Sequence, residues 1–443
     1  MPAASAVSVV IPVHGNFTLT RDCLRSLARS TDGAPEVIVV DNGSADATPR
    51  ELPALGRALF DDKFRYIRFE ENRNFAPACN AGAREAAGDF VFFLNNDTLL
   101  SSGWLPPLLR RFRSVPRLGA AGPLLTYPDN TVQHLGVTFK PGFKLGHLYK
   151  DLPADHPLAQ KRRFFRALTG AALLVPRELF LSCGGFDEEF INGYEDVDLG
   201  LRLSAGGLRL ASVPESRIIH LESKTPNRFV HEEANGLRLL GKWRLERLVD
   251  LPDYVAADGY DLMVLPELEL RLTTSPEVSA ELRSRVTPFD PALCSELLKK
   301  EPLWEEGYRL LGEYWENSGQ PAAALDLYTR ATNCKNSCSF ADCERILRVQ
   351  TALGMDTATT RGRLAGLQRE LGGETYARKW ELIRQTLSED SAAQRALLPR
   401  YEQAWAAGLR MAARNDTPAK IAAHSRKKGV SPASGVQTHR RRR

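Results

Sequence analysis

"EVIVVDNGSADAT", residues 36–48, joins a short run of apolar, β-branched residues to a polar turn. Three similar runs lie in the first hundred residues: "VSVVI" (7–11), "RYIRF" (65–69) and "FVFFL" (90–94). Segments with helical spacing of apolar residues separate these runs, which is typical of repeated β–α–β units. Continuous apolar strands of this kind are buried on both faces. The pattern therefore predicts an α/β fold in which helices cover both sides of a parallel sheet.

A polar cluster follows each predicted strand. The clusters are "PVHGN" (12–16), "DNGSADAT" (41–48), "EENRNF" (70–75) and "NNDT" (95–98). Each cluster alone is explained as a turn, and in "DNGS" either Ser44 or Asp46 would cap the next helix. Ligands of open α/β sheets bind beyond the carboxyl ends of the strands. Four such clusters at one edge therefore favour a ligand site.

The stretch "INGYEDVDLGLRL", residues 191–203, places Glu195, Asp196 and Asp198 at the start of a predicted helix. Like charges repel, but the free N–H groups and the dipole of a helix N-terminus favour negative charge. Asp198 lies four residues before Arg202, so these two side chains are expected to pair on the helix surface. Glu195 and Asp196 are left as candidates for chemistry. The alternative is that all three carboxylates only cap the helix.

Six segments of the chain, taken in order, resemble those of an inverting family 2 glycosyltransferase with the nucleotide-sugar-binding GT-A fold. They are "VSVVIPVHGN", "VIVVDNGSADAT", "NRNFAPACNAG", "GDFVFFLNNDT", "GAALLVPRELFLSCGGFDEEFINGYEDVDLGLRL" and "IIH". The resemblance covers roughly residues 6–222 and is strongest to the bacterial branch that contains rhamnosyltransferases and similar enzymes of surface-polysaccharide assembly. His14 stands where a tyrosine is common in the family, and "NND" replaces the better-known Asp-x-Asp.

The resemblance implies a site for a nucleotide-sugar donor, with a dTDP- or UDP-linked sugar expected. Asp41 would accept hydrogen bonds from the base or ribose, and the main chain around Pro12 and His14 would wall the nucleoside. Amide and guanidinium groups suit the oxygens of sugars and phosphates. The residues predicted to supply such contacts are Arg73, Asn74, Asn80 and Asn96.

A divalent cation is the expected cofactor, because it stabilises the charge that develops on a leaving diphosphate. Asp97 is the natural ligand after the fourth strand, and the resemblance implies His220 as a second ligand. The alternative for His220 is an ordinary histidine satisfied at a strand end. An imidazole ligand shifts the preference from Mg²⁺ toward Mn²⁺.

The resemblance also assigns the opening carboxylates. An acceptor hydroxyl that attacks a sugar must lose its proton to a general base. The family places this base at the second acidic residue of the "ED" pair, which is Asp196 here. Glu195 is expected to orient the site or the acceptor.

The second half of the chain has a different character. From about Pro291 the composition predicts an all-α domain of helical hairpins, and one of them resembles a tetratricopeptide unit. Its residues are Leu311, Gly312, Trp315, Gly319, Ala324, Tyr328 and Ala331. This region is expected to dock on the catalytic domain or on a protein partner. Trp243, in the segment between the two halves, is expected to pack rather than to stack on sugar.

Four segments are predicted overall. They are a catalytic domain (1–222), a connecting subdomain (223–290), a helical domain (291–413) and a basic disordered tail (414–443). The net charge of +5 comes from the tail, which holds nine Lys or Arg and one Asp, so the folded part is not expected to bind nucleic acid. The tail is interpreted as solvated, with contact to an anionic membrane surface as the alternative.

Seven cysteines in a long chain fit reduced thiols. Cys334, Cys338 and Cys343 lack the spacing of a zinc site and are expected to be structural. No apolar run approaches the ~20 residues that span a bilayer, and no secretory signal is evident, so a cytoplasmic enzyme is expected, peripheral at the membrane if the tail binds there.

The leading hypothesis is an inverting transferase that moves a sugar to a glycan, a lipid-linked or a protein acceptor. The alternative is a helical interaction protein with an inactive transferase domain. A nucleotidyltransferase is a weaker reading, because "PVHGN" lacks the glycine-rich, basic first loop of such enzymes.

Overall fold

The computed structural model describes residues 6–31, 35–221, 230–244, 248–333 and 339–427. The strands are β1 (Val7–Val13), β2 (Glu36–Asn42), β3 (Phe64–Phe69), β4 (Phe90–Leu94), β5 (Thr98–Leu100), β6 (Leu118–Thr126), β7 (Val132–His134), β8 (Val137–Lys140), β9 (Lys144–His147), β10 (Phe164–Phe165), β11 (Ala172–Pro176), β12 (Arg209–His220), β13 (Tyr260–Val264) and β14 (Leu270–Thr274). The helices are α1 (Phe17–Ser30), α2 (Thr48–Phe60), α3 (Phe75–Glu85), α4 (Leu105–Ser114), α5 (Pro157–Gln160), α6 (Arg177–Ser182), α7 (Glu195–Ala205), α8 (Glu232–Lys242), α9 (Leu251–Ala257), α10 (Pro276–Arg285), α11 (Pro291–Lys300), α12 (Glu305–Asn317), α13 (Pro321–Asn333), α14 (Phe340–Ala352), α15 (Ala358–Glu370), α16 (Glu374–Thr386) and α17 (Ala392–Lys427).

A single mixed sheet forms the centre of the first half, with the strand order β10-β12-β6-β11-β4-β1-β2-β3. β5 pairs with β12, and β7 pairs with β6. The four predicted strands lie side by side and run parallel, since β1 pairs with β2 and β4 and β2 pairs with β3. β11 returns antiparallel between β4 and β6. The carboxyl ends of β1, β2 and β4 therefore meet at one edge, as predicted.

Both faces of this sheet are buried, because side chains alternate along each strand. Val10 and Val40 pack in one hydrophobic cluster with residues of α3 and α7. Val9 and Val39 pack in a second cluster with residues of α1, α2 and α4. The predicted arrangement of helices on both sides of the sheet is confirmed.

The chain from Pro291 onward is helical in its described part, from α11 to α17. The fold class predicted from the sequence, a Rossmann-like α/β domain followed by a helical region, is the one observed. Within the predicted hairpin, a Cβ added to Gly312 of α12 would lie 2.2 Å from the Tyr328 ring of α13. The glycine thus permits the close helix contact that the sequence pattern suggested. The tetratricopeptide assignment itself stays a prediction.

The last helices pack on the first half of the chain. Tyr376 and Tyr401 belong to the same hydrophobic cluster as Val10 of the sheet. The Gly142 N–H, in the turn of the β8–β9 hairpin, donates to Thr386 Oγ1 at 2.8 Å. The helical region is therefore held against the hairpin that extends from the first half of the chain.

Two of the predicted domain boundaries are those at residues 222 and 413. Residue 222 lies outside the described residues, and the segment that follows it includes α8, α9, the β13–β14 hairpin and α10. Helix α17 continues to Lys427, and residues 428–443 of the predicted tail lie outside the described residues. The proposed domain limits and the tail remain predictions.

Candidate active site

The first two polar clusters meet at the carboxyl edge of the sheet. His14 Nδ1 lies 2.9 Å from the Asn42 carbonyl oxygen, which fixes the imidazole beyond the end of β1. The Gly15 N–H donates to Ser44 Oγ at 2.8 Å. Pro12 lies one residue before the end of β1 and is partly exposed at this edge. The turn after β1 and the turn after β2 thus form one wall.

Asp41, at the end of β2, is fully buried. Its Oδ1 accepts the Ser44 N–H at 2.9 Å, and its Oδ2 accepts the Tyr66 hydroxyl at 2.5 Å. Burial, followed by the neighbouring Asp41 carboxylate, raises the pKa of Tyr66 well above its ordinary value. Arg68 approaches Asp41 Oδ2 to 3.9 Å. Asp41 therefore stabilises the turn after β2, and its contact with a nucleoside stays a prediction.

Asn42 organises the third cluster, and sequence reasoning missed it although it stands beside Asp41. Its Oδ1 accepts the Arg73 N–H at 2.7 Å, and its Nδ2 donates to the Asn74 carbonyl at 2.8 Å and to Asn72 Oδ1 at 2.8 Å. The Arg73 guanidinium lies over the Phe69 ring, 5.0 Å from its centroid. The exposed Arg73 side chain is thus held at the mouth of the site.

A second missed residue, Asn192, connects the third cluster to the acidic stretch. Asn192 Nδ2 donates to Asn74 Oδ1 at 3.1 Å, and Asn192 Oδ1 accepts the Phe75 N–H at 3.0 Å. Asn74 precedes α3 with φ 71° and ψ −177°, a backbone conformation that residues other than glycine rarely adopt. The loop before α7 is therefore fixed to the start of α3.

Asn80, predicted to contact the donor, is buried on α3. Its Nδ2 donates to the Phe186 carbonyl at 2.8 Å and to Glu188 Oε1 at 2.9 Å, while its Oδ1 accepts the Phe186 N–H at 2.9 Å. These contacts hold the loop that leads into the acidic stretch. The predicted donor contact of Asn80 remains untested.

Asp97 and His220 are adjacent in space although 123 positions separate them in the chain. His220 Nε2 lies 3.0 Å from Asp97 Oδ1. The other ring nitrogen, Nδ1, lies 2.6 Å from Gln133 Oε1, and Gln133 Nε2 donates to the His220 carbonyl at 3.0 Å. Because Gln133 must present its NH₂ to that carbonyl, its oxygen accepts the proton of His220 Nδ1.

This tautomer suits a cation. With the proton on Nδ1, the lone pair of His220 Nε2 and the Asp97 carboxylate lie 3.0 Å apart, and two such acceptors need a cation or a proton between them. The pair supplies two ligands, and in the described parts of the chain no group of three or more His, Cys, Asp or Glu side chains is arranged to hold a metal ion. The residues therefore fit a divalent cation whose other ligands come from elsewhere, as in sites shared with substrate phosphates.

Asn95 and Asn96 flank this pair. Asn95 Nδ2 lies 3.3 Å from His220 Nε2, and Asn96 Nδ2 donates to Thr20 Oγ1 at 2.9 Å. Asn96 therefore connects the fourth cluster to α1, and its predicted contact with the donor stays open.

The three carboxylates of the acidic stretch have different surroundings. Asp196 is half-buried, and its Oδ2 accepts the Gly170 N–H at 2.7 Å while its Oδ1 accepts the Val197 N–H at 2.8 Å. Glu195 is 5% exposed, and its Oε2 accepts the Gly193 N–H at 2.7 Å. Of these two, Asp196 is the more accessible to a substrate. Glu195 closes the turn in front of α7.

Asp198 forms the predicted pair with Arg202, whose Nε donates to Asp198 Oδ2 at 2.8 Å. The expectation of a surface pair was wrong, because Asp198 is fully buried. Its Oδ1 accepts the Trp243 indole N–H at 2.9 Å and lies 2.9 Å from Lys242 Nζ. Although burial opposes it, hydrogen bonds to Asp187 and Asp198 raise the pKa of Lys242. The half-buried Trp243 thus packs against the protein and hydrogen-bonds to α7, as expected.

Replacing Asp198 with alanine should lower the free energy of unfolding by about 3 kcal/mol, because Arg202 Nε and the Trp243 indole N–H lose their acceptor and Lys242 keeps only Asp187. The measurement is the urea midpoint at pH 7. Glu296→Gln is the matched control, since Glu296 pairs with Lys299 where both side chains are more than half exposed, and it should leave the midpoint unchanged. Equal midpoints for the two variants would show that the buried position of Asp198 contributes nothing.

Four of the five cysteines that the structure describes are buried. Cys343 is buried in the helical region, and Cys23 and Cys79 are buried against the sheet. Burial raises the pKa of Cys23 to about 12 and that of Cys79 well above its ordinary value, so both stay protonated. Cys334 and Cys338 lie outside the described residues.

Comparison of the sequence with known proteins identifies the family to which the chain belongs. The family model of glycosyl transferase family 2 matches residues 8–165. An N-acetylglucosaminyl-diphospho-decaprenol L-rhamnosyltransferase of Mycobacterium tuberculosis (strain CDC 1551 / Oshkosh) is 31% identical over 227 residues, which cover 46% of this chain and 72% of that protein. The chain belongs to glycosyl transferase family 2.

Two further similarities bear on the extent of the match. An O-antigen biosynthesis protein of Myxococcus xanthus is 34% identical over 225 residues, which are 49% of this chain and 17% of that much longer protein. The crystal structure of GalNAc-T7 with UDP, GalNAc and Mn²⁺ superposes with a TM-score of 0.44 and 21% identity, over 55% of this chain and 49% of that one. Among the residues that the structure describes, none of the helices has the length and apolarity to cross a membrane.

Proposed function

We propose that this protein is an inverting glycosyltransferase that moves a sugar from a nucleoside-diphosphate sugar to a hydroxyl of a glycan, lipid-linked or protein acceptor. One observation carries the proposal. The Asn95 N–H donates to the Ala171 carbonyl at 2.9 Å, and the neighbouring Gly170 N–H donates to Asp196 at 2.7 Å. These two hydrogen bonds join Asn95, two residues before Asp97, to the segment that holds the Asp196 carboxylate, at the edge of the sheet where a donor diphosphate and an attacking hydroxyl would have to meet.

The donor would lie along the polar wall of this edge. Pro12, His14 and Asp41 would contact the nucleoside, and Asn74 and the other predicted polar side chains would contact the sugar and phosphates. Asn80 would act indirectly, by holding the loop before α7. Since the relatives named above include an L-rhamnosyltransferase and an O-antigen biosynthesis protein, we favour dTDP- or UDP-linked sugars and surface-polysaccharide assembly.

Asp196 would act as the general base. The acceptor hydroxyl would give its proton to the half-buried carboxylate as its oxygen attacks the anomeric carbon from the face opposite the diphosphate, so the configuration would invert. Backbone N–H groups hold both oxygens of this carboxylate in place, and Glu195 would keep the preceding turn closed. A cation held by Asp97 and His220 would offset the charge of the leaving diphosphate, and the imidazole favours Mn²⁺ over Mg²⁺.

The regions outside the site carry weaker proposals. The helical region would dock a protein partner or the acceptor, and the basic tail would be solvated, with contact to an anionic membrane surface as the alternative. Both follow from composition and position in the chain.

The test is release of nucleoside diphosphate from dTDP-L-rhamnose and a panel of UDP-sugars by the purified chain, with Mn²⁺, with Mg²⁺ and with excess chelator. We expect release with at least one donor and metal, and a product of inverted anomeric configuration by NMR. Absence of both binding and release across the panel would favour an interaction protein with an inactive transferase domain. A product that retains the donor configuration would contradict the single-displacement mechanism.

A further inference from the structure

His134 lies at the end of β7, next to Gln133, and is 2% exposed. Its Nε2 accepts the backbone N–H of Thr169 at 3.2 Å. The next N–H along the chain, that of Gly170, donates to Asp196 Oδ2 at 2.7 Å. A buried imidazole and the carboxylate of the proposed base are thus joined through two consecutive peptide groups.

The proton of this imidazole can be assigned from its contacts. Because Thr169 donates to Nε2, the neutral ring carries its proton on Nδ1, which lies 2.7 Å from His147 Nδ1. The two rings meet edge-on, at an interplanar angle of 77°. Burial first, then the charges of His147 and His220, hold the pKa of His134 well below its ordinary value. His134 therefore stays a neutral acceptor for the Thr169 N–H.

The loop that His134 holds has little room to shift. A Cβ added to Gly170 would lie 3.4 Å from Asp196 Cβ and 3.3 Å from the Phe75 ring, so the peptide passes close against both. Thr169 Oγ1 also accepts the Ala171 N–H at 3.3 Å. The conformation of this small loop sets the direction of the Gly170 N–H. His134 is the side chain that accepts the first N–H of the loop, that of Thr169.

We propose that His134 is a positioning residue for Asp196, acting through the Thr169–Gly170 peptides to hold the carboxylate in its reactive orientation. The inference rests on the proposed role of Asp196. It adds to that role a requirement for a hydrogen-bond acceptor at the position of His134 Nε2.

The test compares two polar substitutions that differ in reach. In His134→Gln the side-chain oxygen can take the place of Nε2, whereas in His134→Asn the shorter amide cannot reach the Thr169 N–H. We expect His134→Asn to lower turnover of the best donor in the panel by about 10-fold to 100-fold, and His134→Gln to restore most of it. The acidic limb of the pH–rate profile should move to higher pH in His134→Asn, because a carboxylate with a weakened hydrogen-bond donor is protonated more readily.

Two controls separate positioning from general damage. Thr138→Val removes a hydrogen bond of 3.2 Å to the Gly146 carbonyl within the β8–β9 hairpin, at a fully buried position. It should leave the pH profile unchanged even if the thermal midpoint falls. Donor affinity in Mn²⁺, measured by calorimetry, should stay within about twofold of wild type in both His134 variants, since a larger loss would mean that His134 acts through Gln133 and His220 instead.

Amide hydrogen exchange gives a readout that needs no turnover. The Thr169 and Gly170 amides should exchange faster in His134→Asn than in wild type and His134→Gln. Unchanged exchange in a folded His134→Asn protein, or wild-type turnover with an unshifted acidic limb, would overturn the inference. Absence of turnover in the wild type would instead count against the proposed function, and the exchange data would still decide whether His134 holds the loop.

Discussion

Replacing Asp196 with asparagine should lower turnover by about 10²-fold or more and leave donor affinity near that of wild type, because it removes the proton acceptor and keeps the shape of the side chain. The substitution has a small structural cost. Both oxygens of Asp196 accept backbone N–H groups, from Gly170 and Val197, and the asparagine NH₂ must face one of them. The loss of one hydrogen bond costs about 1 kcal/mol, which a folded domain of this size tolerates.

The pH profile and the neighbouring carboxylate serve as controls for this result. An ionised carboxylate base makes the rate fall on the acidic side, and that limb should vanish in Asp196→Asn. Glu195→Gln should be milder, because Glu195 is buried and its contact is with the Gly193 N–H. Near-normal turnover in Asp196→Asn together with an inactive Glu195→Gln would move the base to Glu195.

Local sequence signals were sufficient for the architecture around this site. The four apolar runs became parallel strands because continuous β-branched segments between helical segments have few other ways to bury both faces. The polar clusters fell at one edge because all parallel strands end there. Asp97 and His220 came together because β12 pairs antiparallel with β5, so His220 lies opposite Thr98, the residue after Asp97. That pairing was implied by the family resemblance and by no feature of spacing.

Side chains that act on other side chains were harder to foresee. Asn42, Gln133 and Asn192 each position a candidate site residue, yet an isolated amide carries no periodic or compositional signal. The burial of Asp198 was missed for a different reason. An acidic residue four positions before an arginine is usually on a surface, and the partners that make burial tolerable here, Lys242 and Trp243, come from a distant segment.

Docking of the helical region on the first half of the chain was one of two expectations from the sequence, but the side chains that form the contact were not predicted. Composition separated the helical region from the sheet, but Tyr376 and Tyr401 of α16 and α17 share a hydrophobic cluster with the sheet. The Thr386–Gly142 contact ties the same region to the β8–β9 hairpin, whose other end carries His147 and thus the His134 pair. A series of contacts thus joins the helical region to the hairpin that carries the partner of His134.

Replacing Asp97 with alanine should abolish turnover that depends on a divalent cation. The motivating observation is the 3.0 Å approach of Asp97 Oδ1 to His220 Nε2, with the histidine tautomer fixed by Gln133. Removing one of the two proposed protein ligands should weaken binding of Mn²⁺ in the presence of dTDP or UDP far more than it weakens binding of the nucleotide alone, because the proposed base and ribose contacts lie at the ends of β1 and β2. Calorimetric titration of Mn²⁺ into the protein with either nucleotide measures this directly.

The variant to compare with Asp97→Ala is a substitution of His220, the other proposed ligand. His220→Gln keeps a polar side chain but lacks the imidazole lone pair, so it should also weaken Mn²⁺ binding and should narrow the preference for Mn²⁺ over Mg²⁺, which favours all-oxygen ligands. An Asp129→Asn substitution, in the exposed turn before β7, changes the net charge of the protein by the same amount as Asp97→Ala but at a position away from the Asp97–His220 pair. It should leave Mn²⁺ binding unaltered. Full wild-type activity in excess chelator, or wild-type Mn²⁺ affinity in both Asp97→Ala and His220→Gln, would refute the cation site.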